Sequence, residues 1–305
     1  MPIPFTPLTM AHKALVQRYT LASACRNCDL SFLNLVSWRF LYDTQLAEHR
    51  DHLLFRFKAN GHNAYLAPLG QGPLAPVLTD LMADAAEAGE PFLMLGVSEP
   101  QLAQITEAMP SRFYAHADRA YTDYLYSREA MATLAGKRLQ AKRNFANRFA
   151  RLYPAHRVLP LTANFLPACL ALAEQWIRQK ALATDTEQNA YEAERRAMHT
   201  AFDHWDELDA QGVAVMLGND IVAFSYGAAI NYDTFDVCVE KADTRYEGAF
   251  AFVCRSLAQS LPACFEWLNR EEDLGIEGLR RSKLSYHPTQ LLHKYTVMTH
   301  HPFMK

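Results

Sequence analysis

Trp267–Pro288 reads WLNREEDLGIEGLRRSKLSYHP: a strand pattern ends in acids, turns at Gly275 and enters a helix that carries cations. On a strand, alternate residues share a face, so Phe265, Trp267, Asn269 and Glu271 line up and the apolar side becomes polar at its end. On the helix that follows, Ile276, Leu279, Lys283 and Tyr286 form one stripe at i, i+3, i+4 spacing, with Arg280 beside it. A lysine inside an apolar stripe costs free energy unless it is paired or used. Two readings stay open: a structural salt bridge from Lys283 or Arg280 to the acids upstream, or a site where these groups meet a ligand.

Working outward, two segments repeat one order of elements without obvious residue identity. The first has strand patterns at His52–Lys58 and Asn63–Pro68, a glycine turn at Gly70-Gln71-Gly72, and a helix from Pro73 to Ala88. A strand at Phe92–Val97, a helix at Glu99–Ala108 and strand-like sequence over Tyr114–Tyr126 follow. The second has Val213–Leu217 and Ile221–Ile230 joined by the turn signal Gly218-Asn219-Asp220, then the strand Phe235–Glu240. A helix over Ala249–Leu261, a strand at Cys264–Asn269, a helix at Glu277–Tyr286 and a strand at His293–Thr299 complete it. The pattern predicts two similar α/β modules in tandem, residues 1–153 and 154–305, each a mixed sheet flanked by helices. Between them lie helix patterns at Glu129–Leu152, Leu166–Lys180 and Glu187–Asp209, with a strand at His156–Leu161.

Composition narrows the setting. The chain has 305 residues, 50% hydrophobic and 21% charged, a globular balance that argues against disorder. A formal net charge of −3 gives no global attraction to nucleic acid or an anionic membrane, although a local basic patch still allows either. No apolar run reaches the roughly 18 residues of a membrane span. The first residues lack a secretory signal, and six irregularly spaced cysteines fit a reducing cytoplasm.

Two further features carry chemistry. In Glu129–Leu152, Leu134, Ala141, Phe145, Phe149 and Leu152 share an arc at 100° per residue, Arg138 projects into it, and Lys142 flanks it. Arg143 and Arg151 suit a solvated face, whereas Arg138 suits a basic wall beside a phosphate-bearing substrate. The loop Arg245-Tyr246-Glu247-Gly248-Ala249 lies between a strand and a helix, where backbone N–H groups can hold a pyrophosphate. Arg245 and Gly248 match the first two anchors of the Q/R-x-x-G-x-G/A loop of GNAT acetyltransferases, with Ala249 beside them, and Phe250 departs from it where the last small residue should stand.

Other motifs are discounted. Gly70-Gln71-Gly72-Pro73-Leu74-Ala75 spells a dinucleotide fingerprint without its acid after a second strand. Cys25-Arg26-Asn27-Cys28 lacks a second pair, the twelve histidines are scattered, and no metal site is expected. Nucleophile-elbow and Walker motifs are absent.

Tyr126, Leu134–Phe149 (LAGKRLQAKRNFANRF) and Asn269–Pro288 (NREEDLGIEGLRRSKLSYHP) together resemble the C-terminal domain family of phosphatidylglycerol lysyltransferases, over most of the chain. The resemblance implies a tandem GNAT-like fold similar to the Fem-type aminoacyltransferases, which draw on aminoacyl-tRNA. It would place Tyr126, Arg138, Lys142, Arg143 and Tyr286 at the substrate, and Asn269, Glu271, Asp273, Glu277, Arg280 and Lys283 around the reacting carbonyl. The membrane enzymes carry a flippase portion that this chain lacks, so a lipid acceptor does not carry over.

The expected activity is acyl transfer from aminoacyl-tRNA or acyl-CoA to an amine or hydroxyl. It needs positioning, a base and oxyanion donors, but no covalent nucleophile. Glu271 or Asp273 is the expected base, with Arg280 and Lys283 neutralising carbonyl or phosphate charge. The alternative is a non-catalytic module of the same fold that binds a nucleotide, tRNA or protein partner.

Overall fold

The computed structural model describes residues 3–179 and 185–299, with no side-chain description over 176–187. Lys180, expected to end a helix, and Glu187, expected to start one, therefore fall outside the described side chains. β1 (Thr6–Pro7), α1 (Lys13–Thr20) and α2 (Phe32–Tyr42) lead into β2 (Gln45–His49), β3 (His52–Ala59), β4 (His62–Tyr65) and β5 (Leu69–Gly70). Then come α3 (Leu74–Glu87), β6 (Leu93–Ser98), α4 (Glu99–Ala108), β7 (Tyr114–Ala117), β8 (Asp123–Ser127), α5 (Arg128–Thr133) and α6 (Gln140–Leu152). The second half holds β9 (Arg157–Pro160), α7 (Leu166–Gln179), α8 (Asp185–Asp203), β10 (Gln211–Leu217), β11 (Asp220–Ala229) and β12 (Thr234–Ala242). α9 (Ala249–Ser260), β13 (Trp267–Asn269), α10 (Glu277–Leu284), β14 (Gln290–Leu292) and β15 (Lys294–Met298) close the chain.

The strands form two mixed sheets, ordered β1-β2-β3-β4-β6-β15-β7, with β5 beside β3, and β14-β8-β13-β12-β11-β10-β9. The sheets do not divide at residue 153. β8 joins the second sheet between β14 and β13, while the last strand, β15, joins the first between β6 and β7. The expected strand over Tyr114–Tyr126 is thus two strands in different sheets.

Three cores account for the packing. One lies on the outer face of the first sheet under α3 and α4, around Val77, Leu81, Met94 and Val297. Another lies on the outer face of the second sheet under α5, α6 and α9. The third joins residues of α1, α2 and β3 to residues of α7, α8 and β11, so the space between the sheets is one continuous apolar interior. α9 is apolar nearly all round, with Ala249, Ala251, Phe252, Val253, Cys254, Leu257 and Ala258 buried, as expected of a helix pressed between a sheet and further helices. Within the described residues, no helix is long and apolar enough to cross a membrane.

Several expected elements change. Glu129–Leu152 is two helices, because Leu134 (φ 49°) and Gly136 (φ 83°) take left-handed backbone and end α5. The turn between them carries Arg138 into solvent and rotates α6, so that Leu139, Ala146 and Phe149 face inward while Phe145 and Leu152 are about half exposed. Ile276, which caps α10, and Leu279 within it are exposed too, and the inward face of the helix is Lys283 with the adjacent Tyr286. α8 stops at Asp203, well short of Asp209.

Candidate active site

Three consecutive acids follow β13, and the backbone sends them apart. Glu271 and Leu274, both at φ 54°, adopt the left-handed region that non-glycine residues seldom occupy. Glu271 turns toward α2, where its Oε1 accepts a hydrogen bond from Asn34 Nδ2 at 3.2 Å. Glu272 turns to Lys294, and Asp273 turns to Arg280. Lys283 closes the fan from below: its ammonium donates to the main-chain carbonyls of Arg270 and Glu272, and its own carbonyl accepts from Tyr126 Oη at 2.7 Å. Burial lowers the Lys283 pKa and, before any charge effect, raises that of Glu271 well above its usual range.

Asp273 is fully buried and every side of it is occupied. Arg280 holds it with two bonds of 2.8 Å, Arg119 Nη1 donates at 3.1 Å, Tyr124 Oη at 2.5 Å and Gly275 N at 2.9 Å. Arg280 first, then Tyr124 and the Gly275 amide, hold the carboxyl far below the ordinary aspartate range against the opposing effect of burial. A carboxylate so placed is a poor proton acceptor. The salt-bridge reading is therefore realised for Arg280, whereas Lys283 is held by carbonyls.

A second knot lies where the chain crosses between sheets. Lys294, 4% exposed, reaches Asp123 at 3.0 Å, Asp29 at 3.2 Å and Glu272, with Cys28 Sγ at 3.6 Å. Asp123 also accepts from the Cys28 amide at 3.0 Å and from Asn269 Nδ2 at 2.8 Å. Asn269, expected near the reacting carbonyl, is thus a brace whose amide also reaches the Arg26 carbonyl at 2.7 Å.

On the outer face of the second sheet the polar groups are less completely satisfied. β12 and β13 are parallel and pair over three positions only, Thr234–Asp236 with Trp267–Asn269, after which β12 continues alone on that side to Ala242. A break in the β11–β12 register between Tyr226 and Ala228 shifts the alternation of β12. Glu240 consequently faces Arg270 across the parting strands, joined by one bond of 2.7 Å. Arg270 Nη1 and Glu240 Oε2 are both buried without a partner among the described residues. The guanidinium lies over the Tyr286 and Tyr126 rings at 4.8 and 5.5 Å. Lys142 of α6, partly buried, sits 4.2 Å from the Tyr286 centroid, and burial, then Arg270, lowers its pKa. So α6 meets the C-terminal run through Lys142 and not through the exposed Arg138. Sequence reading missed Glu240 and Arg270, although an acid ending the buried strand FDVCVE and an arginine inside the decisive run were both visible signals.

The remaining expected residues have local duties. Arg143 caps α5 by donating to the Leu134 carbonyl at 2.6 Å, and Glu277 is an exposed partner of Arg281 at 2.6 Å. Arg245 is clamped by Asp243 at 2.6 Å. Gly248 (φ 86°) caps α9, and a Cβ there would lie 2.2 Å from the Phe145 carbonyl oxygen, so this glycine serves the close approach of α6 to buried Ala249 and α9. Gly248→Ala is expected to cost about 3 kcal/mol through left-handed strain and overpacking, read from the urea midpoint. A depression of about 300 Å³ lies on the first sheet among Gln45, Arg56, Lys58 and Asn63 and holds none of the expected residues.

Two mixed sheets with flanking helices, fused through one interior, define a tandem GNAT-like α/β protein. A family model described as phosphatidylglycerol lysyltransferase, C-terminal, matches residues 22–298, and the chain belongs to that family. A conserved protein of unknown function from Bacteroides thetaiotaomicron superposes with TM-score 0.93 at 43% identity, covering 98% of this chain and 100% of the other. The C-terminal domain of a putative lysylphosphatidylglycerol synthetase from Agrobacterium fabrum gives TM-score 0.65 at 12% identity, over 96% and 93% of the two chains. FemX gives 0.59 at 10% identity over 96% and 97%, and a tandem GNAT protein of the clavulanic acid pathway gives 0.50 at 8% over 98% and 99%. These last three share the fold. An uncharacterized protein of Mycoplasmoides gallisepticum is 24% identical over 178 residues, 58% of this chain and 56% of its own length, so the match spans little more than half of that relative. Family and fold together are aminoacyltransferase-like.

Proposed function

We propose that the chain transfers an acyl or aminoacyl group from an activated carboxyl to an amine or hydroxyl acceptor, beside the gap where β12 and β13 part. The observation that carries this reading is the buried Arg270–Glu240 pair, whose Nη1 and Oε2 have no partner among the described residues, with Arg270 and Lys142 both set against the Tyr286 ring. Buried polar atoms without partners are rare and call for an explanation. In the proposed role, Glu240 Oε2 accepts the acceptor's proton, while Arg270 Nη1 and Lys142 face the developing oxyanion. The unpaired side of β12 offers main-chain groups to an extended, amide-bearing donor arm. Tyr286 and Tyr126 shape the wall. In this proposal Asp273, Arg280 and Lys283, expected as chemistry, hold the loop that presents Arg270.

An aminoacyl ester of tRNA is the proposed donor. Gly248 is occupied by α6 and Arg245 by Asp243, which speaks against a CoA pyrophosphate at that loop. Six free cysteines accord with the proposed cytoplasmic setting.

Separate incubations with aminoacyl-tRNA and acyl-CoA pools, using hydroxylamine as surrogate acceptor, test the reading through protein-dependent hydroxamate. Lys142→Met is expected to lower turnover about 100-fold while changing stability by no more than about 1 kcal/mol, the scale of its contact with the Tyr286 ring. Hydroxamate from neither pool favours the non-catalytic binding module, and full activity in Lys142→Met moves the chemistry elsewhere.

A further inference from the structure

The inner face of β12 carries a second group of donors that the proposed transfer does not use. Asp236, Cys238 and Glu271 each offer one ligand atom, all within 4.8 Å of one another, and Cys238 Sγ stands 3.3 Å from Asp236 Oδ2. The shifted alternation of β12 that turns Glu240 outward leaves Asp236 and Cys238 on this inner side. Asp236 is fully buried with Oδ1 unpartnered, and neither it nor Glu271 has a salt bridge among the described residues. A cavity of about 40 Å³ adjoins Glu271 and Cys238, lined also by Ser37, Trp38, Tyr226 and Glu194. Ser37, 2% exposed, lines it with an Oγ that also lacks a partner among the described residues. One buried orphan hydroxyl, Ser37 Oγ, therefore borders the same small space as Cys238 and Glu271, and a second orphan, Asp236 Oδ1, belongs to the carboxylate beside Cys238. The comparable group Cys28, Asp123 and Glu272 differs, because the Lys294 ammonium already sits among its donors.

We infer that Asp236, Cys238 and Glu271 form a binding site for a divalent metal ion of the zinc class. A thiolate with two carboxylates is a donor set that a borderline-soft ion accepts. Zinc bonds of about 2.0–2.3 Å keep ligand atoms roughly 3–4 Å apart, so Asp236 and Cys238 already stand at the required separation. Glu271 completes the set by a side-chain rotation, and the cavity has room for one water as fourth ligand. Asn34, bonded to Glu271 Oε1 at 3.2 Å, orients a ligand from α2. On binding, Cys238 gives its proton to solvent and the metal supplies positive charge between Asp236 and Glu271. The ion would tie β12 to the chain after β13 and, through Asn34, to α2, and so fasten the two sheets.

Metal-stripped full-length chain titrated with Co2+ and then Zn2+ tests this. One equivalent of Co2+ should give a thiolate-to-cobalt charge-transfer band that Zn2+ bleaches, and Zn2+ should raise the unfolding temperature. Cys238→Ser should abolish the band, Cys28→Ser should leave it, and Glu271→Gln should weaken Zn2+ binding by more than the ten- to hundredfold that losing an outer partner costs. Co2+ uptake without the band, a band lost in Cys28→Ser instead, or no thermal shift of the unsubstituted chain with Zn2+ each overturn the site. So does stabilisation by methylammonium with none by Zn2+, which would assign the cavity to an organic ammonium group. None of these readouts depends on transferase turnover.

Discussion

Lys294→Met is expected to abolish or nearly abolish soluble folded chain. Lys294 is 4% exposed and its ammonium balances Asp123, Asp29 and Glu272, of which Asp123 is fully buried. Removing one partner of a buried pair costs about 3–5 kcal/mol because it strands the other charge. Three carboxylates lose their partner here, against a typical total stability of about 5–15 kcal/mol. The topology adds to the effect. Lys294 opens β15, which belongs to the first sheet, and Asp123 opens β8, which belongs to the second. One contact therefore pins both crossings. The Lys294 pKa stands well above its ordinary value: burial opposes this, and the attraction of Asp123, Asp29, Cys28 and Glu272 outweighs it. A raised folded value means the contribution is complete below the unfolded lysine pKa of about 10.4 and is lost as pH rises through the folded one. Urea unfolding of Lys294→Met and of Lys294→Met with Asp123→Asn provides the check, with the second variant recovering part of the loss. A single variant within about 1 kcal/mol of the parent would refute the pin, since surface changes already reach about half that.

The order of elements from β3 to α4, apart from the two-residue β5 read as a turn, and from β10 to α9 was legible in sequence because each carries a strong local period, strengthened by glycine turns. No secondary structure was read in the first fifty residues, which hold α1, α2 and β2. Which sheet β8 and β15 join was illegible for a physical reason: both are five-residue strands whose own pattern is the same in either sheet, and the decision lies in Asp123 meeting Lys294 across the chain. Gly136 was available as a helix stop, but an arc drawn at 100° per residue ran through it and misplaced Arg138. The gathering of acids and cations around Asn269–Tyr286 was legible as a cluster. Its pairing was not, because left-handed backbone at Glu271 and Leu274 sends neighbours in sequence to different partners. Glu240 needed the irregular register opposite Gly227, which no period reveals.

Asp273→Ala is expected to destabilise the chain by about 3–5 kcal/mol, since it leaves Arg280 and Arg119 around a hole and Tyr124 Oη without its acceptor. The loss should fall on local order first. Arg280 and the Gly275 amide fix the turn into α10, and α10 carries Lys283, whose ammonium holds the carbonyls on both sides of Glu271. Loosening that turn frees Arg270 from its place opposite Glu240, so any transferase activity should fall with stability. That distinguishes Asp273 from Lys142, where activity alone is expected to fall. The pH dependence has a definite sign. Asp273 has a depressed folded pKa, so its contribution is complete above the unfolded aspartate value of about 3.9 and declines as pH drops toward the folded one. Unfolding midpoints of parent and Asp273→Ala should therefore differ fully at pH 7 and converge as the pH is lowered below about 4. A gap that stays constant down to the lowest pH at which both fold would mean that packing, rather than the carboxylate's charge, holds this corner together.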